Sequence, residues 1–156
     1  MTKPSLTLVL LLWTLLAAFC LRVLGQVLVA FWDVNWLPPM EAWYSGLLPY
    51  PYLLPSQVLI IVLFGKVCVD FTRGEGIFVQ PRPMFGRAVL VFGYGYLAAM
   101  VLRYVIRMSF YPEARWFGGI IPIVFHWVLA AFIIAFGRYH RDRVRFAASP
   151  DADHAH

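Results

Sequence analysis

The sequence predicts an all-α fold, a polytopic membrane protein whose four transmembrane helices form a bundle. Composition is the first observation: 62% of the 156 residues are hydrophobic and only 13% are charged, whereas soluble domains are about half apolar and about a quarter charged. Size is the second, because a soluble chain this short could not bury so much apolar surface. The third is that the apolar residues fall into four runs, each long enough to cross a bilayer as a helix.

The four runs are predicted to be helices rather than barrel strands, because they lack alternation and exceed the length of a barrel strand. In the second run, Ser56 is the expected N-cap directly after Pro55. The predicted spans are residues 5–32, 56–71, 84–108 and 118–137. They belong to a single transmembrane domain of residues 1–146, followed by a disordered cytoplasmic tail of residues 147–156.

The first run imitates a secretory signal but is predicted to be retained. A signal core spans about 7–15 apolar residues, and this run continues past Arg22 to Trp32. A lipoprotein signal would need a small residue before Cys20, where the bulky Phe19 stands. The run is therefore interpreted as the first membrane helix.

The distribution of basic residues predicts the orientation. Residues 33–55 contain no Lys or Arg, the segment after the second span contains Arg73 and Arg82, and several arginines follow the fourth span. The positive-inside rule then places both termini in the cytoplasm, and we expect a bacterial inner membrane. The net charge of +5 is assigned to membrane-facing loops, and no basic stripe with exposed aromatics indicates a nucleic-acid partner.

The segment of residues 33–55 is an outer loop rich in proline and aromatic residues. It holds five prolines, two tryptophans and three tyrosines. This composition is typical of a cap lying in the headgroup layer, and the prolines predict that no further helix forms there. A lid over a cavity is the alternative interpretation.

Two features of the spans concern packing. Gly95 and Ala99, with Gly93 and Ala98 nearby, predict a face of close helix contact on the third span. The two cysteines, at positions 20 and 68, fall at different predicted depths. We expect two free, buried thiols, since a disulfide needs Cα atoms within about 7 Å.

Nitrogen-rich side chains gather in one half of the predicted bundle. Pairs of them lie one helical turn apart on the first and third spans, and a histidine lies about 10 Å deep on the fourth. Because guanidinium groups donate bidentately to oxyanions, the cluster predicts a site for a lipid phosphate, a carboxylate headgroup or an acidic partner. The candidate ligand-binding residues are Arg22, Gln26, Arg103, Arg107 and His126.

Other interpretations of this cluster stay open. Each arginine could extend to the headgroups on its own. His126 is too short to reach them, so it either bonds to a neighbouring helix or serves a ligand or a proton relay. Asp33, Glu41 and Glu113 could pair with the arginines and make the cluster a structural ion-pair network.

Near the C-terminal end of the second span, on the predicted inner side of the membrane, Lys66 and Asp70 stand four residues apart. This spacing predicts a local ion pair that lets a short helix tolerate its charges. A proton path is the functional alternative.

No residue is predicted to be catalytic or to bind a metal. The sequence contains no glycine-rich phosphate loop, CxxC or HExxH, and Ser45 and Ser109 lack a histidine at motif spacing. His126 and His140 lie about 21 Å apart along one helix, too far to share one haem iron. A haem held by a single histidine, or shared with another chain, remains open, and no cofactor is assigned.

The expected function is that of a small membrane subunit that binds an anionic lipid-like or amphipathic ligand, docks onto a larger membrane assembly, or does both. Its expected partners are membrane lipids and other membrane subunits or a second copy of the chain. The alternative is a redox enzyme or component in which His126 handles haem, quinone or a proton. A small transporter is the third hypothesis, weakened by four spans without a broken helix pair.

Overall fold

The protein is a bundle of long α-helices, seen here in a computed structural model that describes residues 3–32, 34–43, 49–110 and 120–147. Four helices are long and apolar enough to cross a membrane, and no strand forms among the described residues. The predicted four-helix membrane fold is therefore confirmed. The helices are α1 (Leu6–Trp32), α2 (Met40–Trp43), α3 (Tyr50–Arg73), α4 (Pro83–Phe110) and α5 (Ile120–Ala147).

The four long helices run up and down in chain order. Helix α5 packs along the length of α4, and α1 lies against both α3 and α5. The short helix α2 sits where α1 ends, near the start of α5: Val29 and Trp43 are buried together there, with Ile121 packed against them. We call this end of the bundle the α2 end, and the other, which carries residues 74–82, the loop end.

The largest buried cluster lies toward the loop end and joins three helices and the loop. Its members come from the first half of α1, the last turns of α3, the loop and the second half of α5, and they include Leu12, Cys68, Phe71, Val79 and Phe132. Lipid is as apolar as these side chains, so the hydrophobic effect contributes little between membrane helices. The cluster therefore stabilises the bundle through close van der Waals packing.

Helix α3 begins earlier than the sequence predicted. It starts at Tyr50, with Pro49 in the N-cap position, and Pro55 lies inside the helix. The predicted N-cap at Ser56 is wrong: its hydroxyl donates to the Leu53 carbonyl instead. Pro51 stands in the first turn, where N–H groups have no partner within the helix, whereas Pro55 is the sixth residue and leaves the Pro51 carbonyl without its helical donor.

The prolines of residues 33–55 also do not exclude helix, since α2 follows Pro39 directly and α3 begins within this segment. Helix α5 continues past the predicted end at Gly137, as far as Ala147. A stretch of basic residues thus extends the helix instead of ending it. The rest of the predicted tail, residues 148–156, lies outside the described residues.

Glycines allow α4 and α5 to approach closely. A Cβ on Gly86 would lie 2.8 Å from His140 Cβ, and one on Gly93 would lie 2.9 Å from a side-chain carbon of Ile134. Gly95, in contrast, has nothing within 4 Å among the described residues. Close packing on α4 therefore uses Gly86 and Gly93, while the predicted Gly95–Ala99 face points away from the bundle.

Candidate functional site

Arg22 and Gln26 form the centre of a buried polar network at the α2 end. Arg22 donates from Nη1 to Gln26 Oε1 at 2.7 Å and from Nη2 to the Trp43 carbonyl at 3.0 Å. Gln57, on α3, donates to the same Gln26 oxygen at 3.1 Å. Arg22 is 7% exposed and Gln26 1%. These contacts tie α1, α2 and α3 together.

Gly25 leaves room for the ring of Trp43 against α1. A Cβ at Gly25 would lie 2.7 Å from the indole edge, so only glycine fits without displacing the ring. The indole Nε1 donates to the Pro38 carbonyl at 2.8 Å. Trp43 is thus held by its ring, its indole N–H and its carbonyl, and the segment before α3 is fixed against the bundle.

The amide orientations in this network follow from the chemistry of arginine. A guanidinium only donates, so Gln26 must turn its oxygen toward Arg22. Gln57 must then offer its Nε2 to that oxygen. This leaves Gln26 Nε2 and Gln57 Oε1 buried, without a hydrogen-bond partner among the described residues. A buried orphan of this kind costs free energy in an apolar medium, which makes this network costly unless other groups complete it.

Tyr96 and His126 form a second polar contact, between α4 and α5. The Tyr96 hydroxyl and His126 Nδ1 are hydrogen-bonded, and the two rings meet edge-on with centroids 5.8 Å apart. Both side chains are partly buried. The charges of Arg103 and Arg22 both act on His126. The histidine therefore has a partner on the neighbouring helix and lies within the field of two of the predicted arginines.

Arg103 and Arg107 continue along α4 toward the α2 end. Both are half-buried, and between them the Tyr104 ring meets the Trp127 ring edge-on with centroids 5.6 Å apart. The charge of Arg103 also acts on Tyr96. Arg103 thus belongs to the neighbourhood of the Tyr96–His126 pair, seven residues or about 10 Å farther along the helix axis.

An apolar groove of about 350 Å³ lies between α3 and α4. These two helices do not pack along one another, so α5 forms the floor of the space between them. The Phe64 ring of α3 stacks on Phe132 of α5 at a centroid distance of 3.9 Å. The groove is lined by apolar side chains of three helices and the loop: Leu63, Phe64, Val67, Phe78, Phe85, Ala88, Val89, Phe92, Phe132, Ile133 and Phe136.

The groove adjoins the Tyr96–His126 pair. Phe92 lines the groove, and its ring is parallel to the Tyr96 ring, with centroids 5.9 Å apart and an interplanar angle of 8°. Tyr96 in turn bonds to His126. An apolar groove therefore lies beside a hydrogen-bonding pair, and the Phe92–Tyr96 ring contact connects the two.

At the loop end, Lys66 and Asp70 form the ion pair expected from their spacing. The carboxylate does more than pair with Lys66. Its second oxygen accepts from the Phe78 N–H at 3.5 Å, and a Cβ on Gly76 would lie 2.4 Å from it. Gly76 adopts φ +119°, a backbone conformation that favours glycine. Asp70 is thus the centre around which residues 74–79 turn.

His140 and Tyr139 fasten the same loop to α5. The Tyr139 hydroxyl donates to the Val79 carbonyl at 3.0 Å, and the Arg82 N–H donates to His140 Nδ1 at 3.4 Å. His140 is 1% exposed and lies edge-on to Phe85, Phe136 and Tyr139. Its role in this structure is to hold the loop.

The structure divides the predicted site residues into two groups. Arg22 and Gln26 belong to the network that fixes Trp43, whereas His126 bonds to Tyr96 beside the groove. Arg103 and Arg107 lie farther along α4, half-buried. Among the candidate acids, Asp33 and Glu113 lie outside the described residues, as does the side chain of Glu41. The cysteines are free as expected, Cys68 buried and Cys20 half-buried.

Sequence reasoning missed Gln57, Trp43, Tyr96 and the loop role of His140. Gln57 had a signal, because a glutamine in an apolar run needs a partner. Tyr96 had none, because tyrosines are common in this chain and its pairing depends on how α4 turns against α5.

No group of three or more His, Cys, Asp or Glu side chains comes together as metal ligands do within the described ranges. Comparison of the chain with protein families, with curated proteins and with solved structures finds no match. Function must therefore be argued from the geometry of the site.

Proposed function

We propose that the protein is a small membrane subunit that holds an amphipathic, lipid-like ligand. The ligand's apolar chain occupies the groove between α3 and α4, and its polar head lies at Tyr96 and His126. The observation that carries this proposal is continuity: Phe92 lines the groove and stacks on Tyr96, which bonds to His126. Ligand sites in proteins are commonly apolar clefts with a few convergent polar groups.

The arginines have different parts in this proposal. Arg22 bonds to Gln26 and to the Trp43 carbonyl, so its main task is to fix the segment around α2. Arg103 acts on both Tyr96 and His126 and gives the head region a positive potential, which favours an oxygen atom with a partial negative charge. Arg107 lies a further turn away and is suited to lipid headgroups.

The orientation we propose follows the basic residues. The loop end carries Arg73 and Arg82 and is cytoplasmic in this scheme, whereas residues 34–43 contain no Lys or Arg and lie outside. The same rule supports a bacterial inner membrane. The groove then lies in the inner half of the bilayer, and the Tyr96–His126 pair lies near the bilayer centre.

Docking onto another membrane chain is a second candidate, favoured by one observation. Gly95 and Ala99 lie on an exposed face of α4, and nothing approaches Gly95 within 4 Å. Small residues in this spacing allow another helix to come close. Gly95→Ile would then release the partner chain in mild detergent, whereas an unchanged complex size would remove this candidate.

The test of ligand binding is to identify what co-purifies from mild detergent by native mass spectrometry and solvent extraction. Ala88 lines the groove, so Ala88→Trp should fill it and displace most of the ligand. The control is Ala98→Trp, which adds the same ring at an exposed position of α4 outside the groove. If Ala88→Trp retains as much ligand as Ala98→Trp, the proposal is wrong.

A visible spectrum of the same preparation tests the redox alternative. A haem-type Soret band that disappears in His126→Leu would assign His126 to an iron and transfer the function to redox chemistry. If the protein instead holds a lipid-like ligand, we expect no Soret band that depends on His126.

A further inference from the structure

We infer that the ligand's head is an uncharged group with a carbonyl oxygen, such as a quinone-like ring on an alkyl or isoprenoid chain. This inference rests on the proposed function and adds the chemical class of the ligand. It follows from the depth of the Tyr96–His126 pair, from the hydrogen-bonding capacity of that pair, and from the length of the groove.

Depth excludes a charged head at the pair. Along α4, Tyr96 lies nine residues from Arg87 and seven from Arg103, or about 13 Å and about 10 Å along the axis. The two arginines bracket the apolar part of the helix, so the pair is near the middle of the membrane. A phosphate or carboxylate there would lose its hydration, at a cost of several kcal/mol. A neutral carbonyl loses far less.

The pair can donate one hydrogen bond to such a head. A phenol is the better donor and a neutral imidazole nitrogen the better acceptor, so the Tyr96 hydroxyl donates to His126 Nδ1. A neutral imidazole that accepts at Nδ1 carries its proton on Nε2. His126 Nε2–H is then the donor offered to a carbonyl oxygen, and the charge of Arg103 stabilises the partial negative charge on that oxygen.

Length separates this ligand from a phospholipid of the outer leaflet, and the experiment below separates it from a phospholipid of the inner leaflet. The groove begins at Phe92, eleven residues or about 16 Å from Arg103. A lipid with its head at Arg103 has chains that end near the bilayer centre, about 15 Å away, and would leave the groove empty. From Tyr96 to Phe85, at the far end of the groove, the distance is about 16 Å. A ligand with its head at Tyr96 and one long chain would occupy both the Tyr96–His126 pair and the groove.

The experiment compares three probes in mild detergent by native mass spectrometry: a decyl-substituted benzoquinone, dodecylbenzene and dodecyl phosphate. The quinone should bind about tenfold more tightly than dodecylbenzene, the effect of one buried hydrogen bond at the strong end. Dodecyl phosphate should bind more weakly than the quinone. Tyr96→Phe keeps the ring that stacks on Phe92 but loses the hydroxyl, so the preference for the quinone should fall to about threefold or less.

The variants separate the failure of this inference from the failure of the proposed function. If all three probes bind equally, or the phosphate binds best, and Ala88→Trp removes them, the groove binds ligands but the head is not a neutral carbonyl. A preference unchanged in both Tyr96→Phe and His126→Leu also overturns the inference. If Ala88→Trp and Ala98→Trp bind every probe alike, the groove is not the site, and both proposals fail. If added phosphatidylglycerol displaces the quinone probe from the protein, the groove holds a phospholipid chain and the inference is wrong.

Discussion

Arg22 shows how a charged side chain is accommodated inside an apolar helix. Its guanidinium donates to an amide oxygen and to a main-chain carbonyl, the acceptors that a donor-only group needs in a medium without water. Arg22 bonds to the Trp43 carbonyl, and Gly25, three residues later, makes room for the Trp43 ring. One short stretch of α1 therefore fixes the segment that follows it.

Arg22→Met should destabilise the protein by about 1–3 kcal/mol, because the Trp43 carbonyl loses its donor and Gln26 loses one of its two. Arg87→Met is the matched control, an exposed arginine on α4 whose replacement should change little. Unfolding by SDS titration in mixed micelles would give both values. Equal midpoints for the two variants would mean that the network does not stabilise the fold.

Asp70 and Lys66 should respond unequally to substitution, although they are one ion pair. The Asp70 side chain is 5% exposed and also accepts from the Phe78 N–H, whereas the Lys66 side chain is 53% exposed. Asp70→Ala should therefore cost about 1–3 kcal/mol, because the Phe78 N–H loses its acceptor, and Lys66→Ala less than about 1 kcal/mol, because that N–H still bonds to the carboxylate. Thermal unfolding in detergent measures both, and similar losses would show that only the ion pair matters.

Part of the site was predictable at this scale. The pairing of Arg22 with Gln26, and of Lys66 with Asp70, follows from a spacing of four residues on a helix, which can be read directly from the sequence. The partners across helices do not, because Gln57, Trp43 and Tyr96 are chosen by the rotation and offset of packed helices. His126 was identified as a residue in need of a partner, but that partner could not be named.

The helices show which features of a secondary-structure element can be predicted from the sequence. Hydropathy located all four spans, because length and apolar content are properties of one segment. Their ends were less accurate: α3 begins at Tyr50 rather than Ser56, and α5 continues to Ala147. Helix α3 accommodates Pro55 inside its second turn, and arginine is favourable in a last turn, so neither residue type marked the boundary.

Two glycines on α4 give a matched test of helix packing. A Cβ at Gly93 would lie 2.9 and 3.1 Å from side-chain carbons of Ile134 and Ile133, while Gly95 faces open space. Gly93→Ala should destabilise by about 1–3 kcal/mol through overpacking. Gly95→Ala should stabilise by up to about 1 kcal/mol through helix propensity. Thermal unfolding in detergent gives both values, and the opposite ranking would place the α4–α5 contact on the other face.

For the whole molecule, topology is testable from either side of the membrane. With Cys20 and Cys68 replaced by Ala, Asn35→Cys and Glu75→Cys place single thiols at exposed positions near opposite ends. The proposed orientation predicts that a membrane-impermeant thiol reagent labels Asn35→Cys in intact cells, and Glu75→Cys only after permeabilisation. The reverse labelling would invert the assignment of inner and outer halves.

The groove is a property of the whole fold, which is why sequence could not predict it. It exists because α4 packs along α5 while α3 meets α5 through ring contacts such as Phe64–Phe132, and α3 and α4 do not pack along each other. Phe85 and Phe92 on α4 would be read from sequence as ordinary lipid-facing residues. Only the arrangement of α3 and α4 around α5 brings them together as lining of one groove.

The most direct measurement is to locate the bound chain by photolabelling. A long-chain ketone with a diazirine near its far end would be irradiated with the protein in mild detergent, and the adducts mapped by peptide mass spectrometry. Labelling should concentrate on residues 85–92 and 132–136 and fall several-fold in Ala88→Trp but not in Ala98→Trp. Adducts spread evenly over exposed positions such as Leu10, Leu21 and Leu59 would show that the groove holds no preferred ligand.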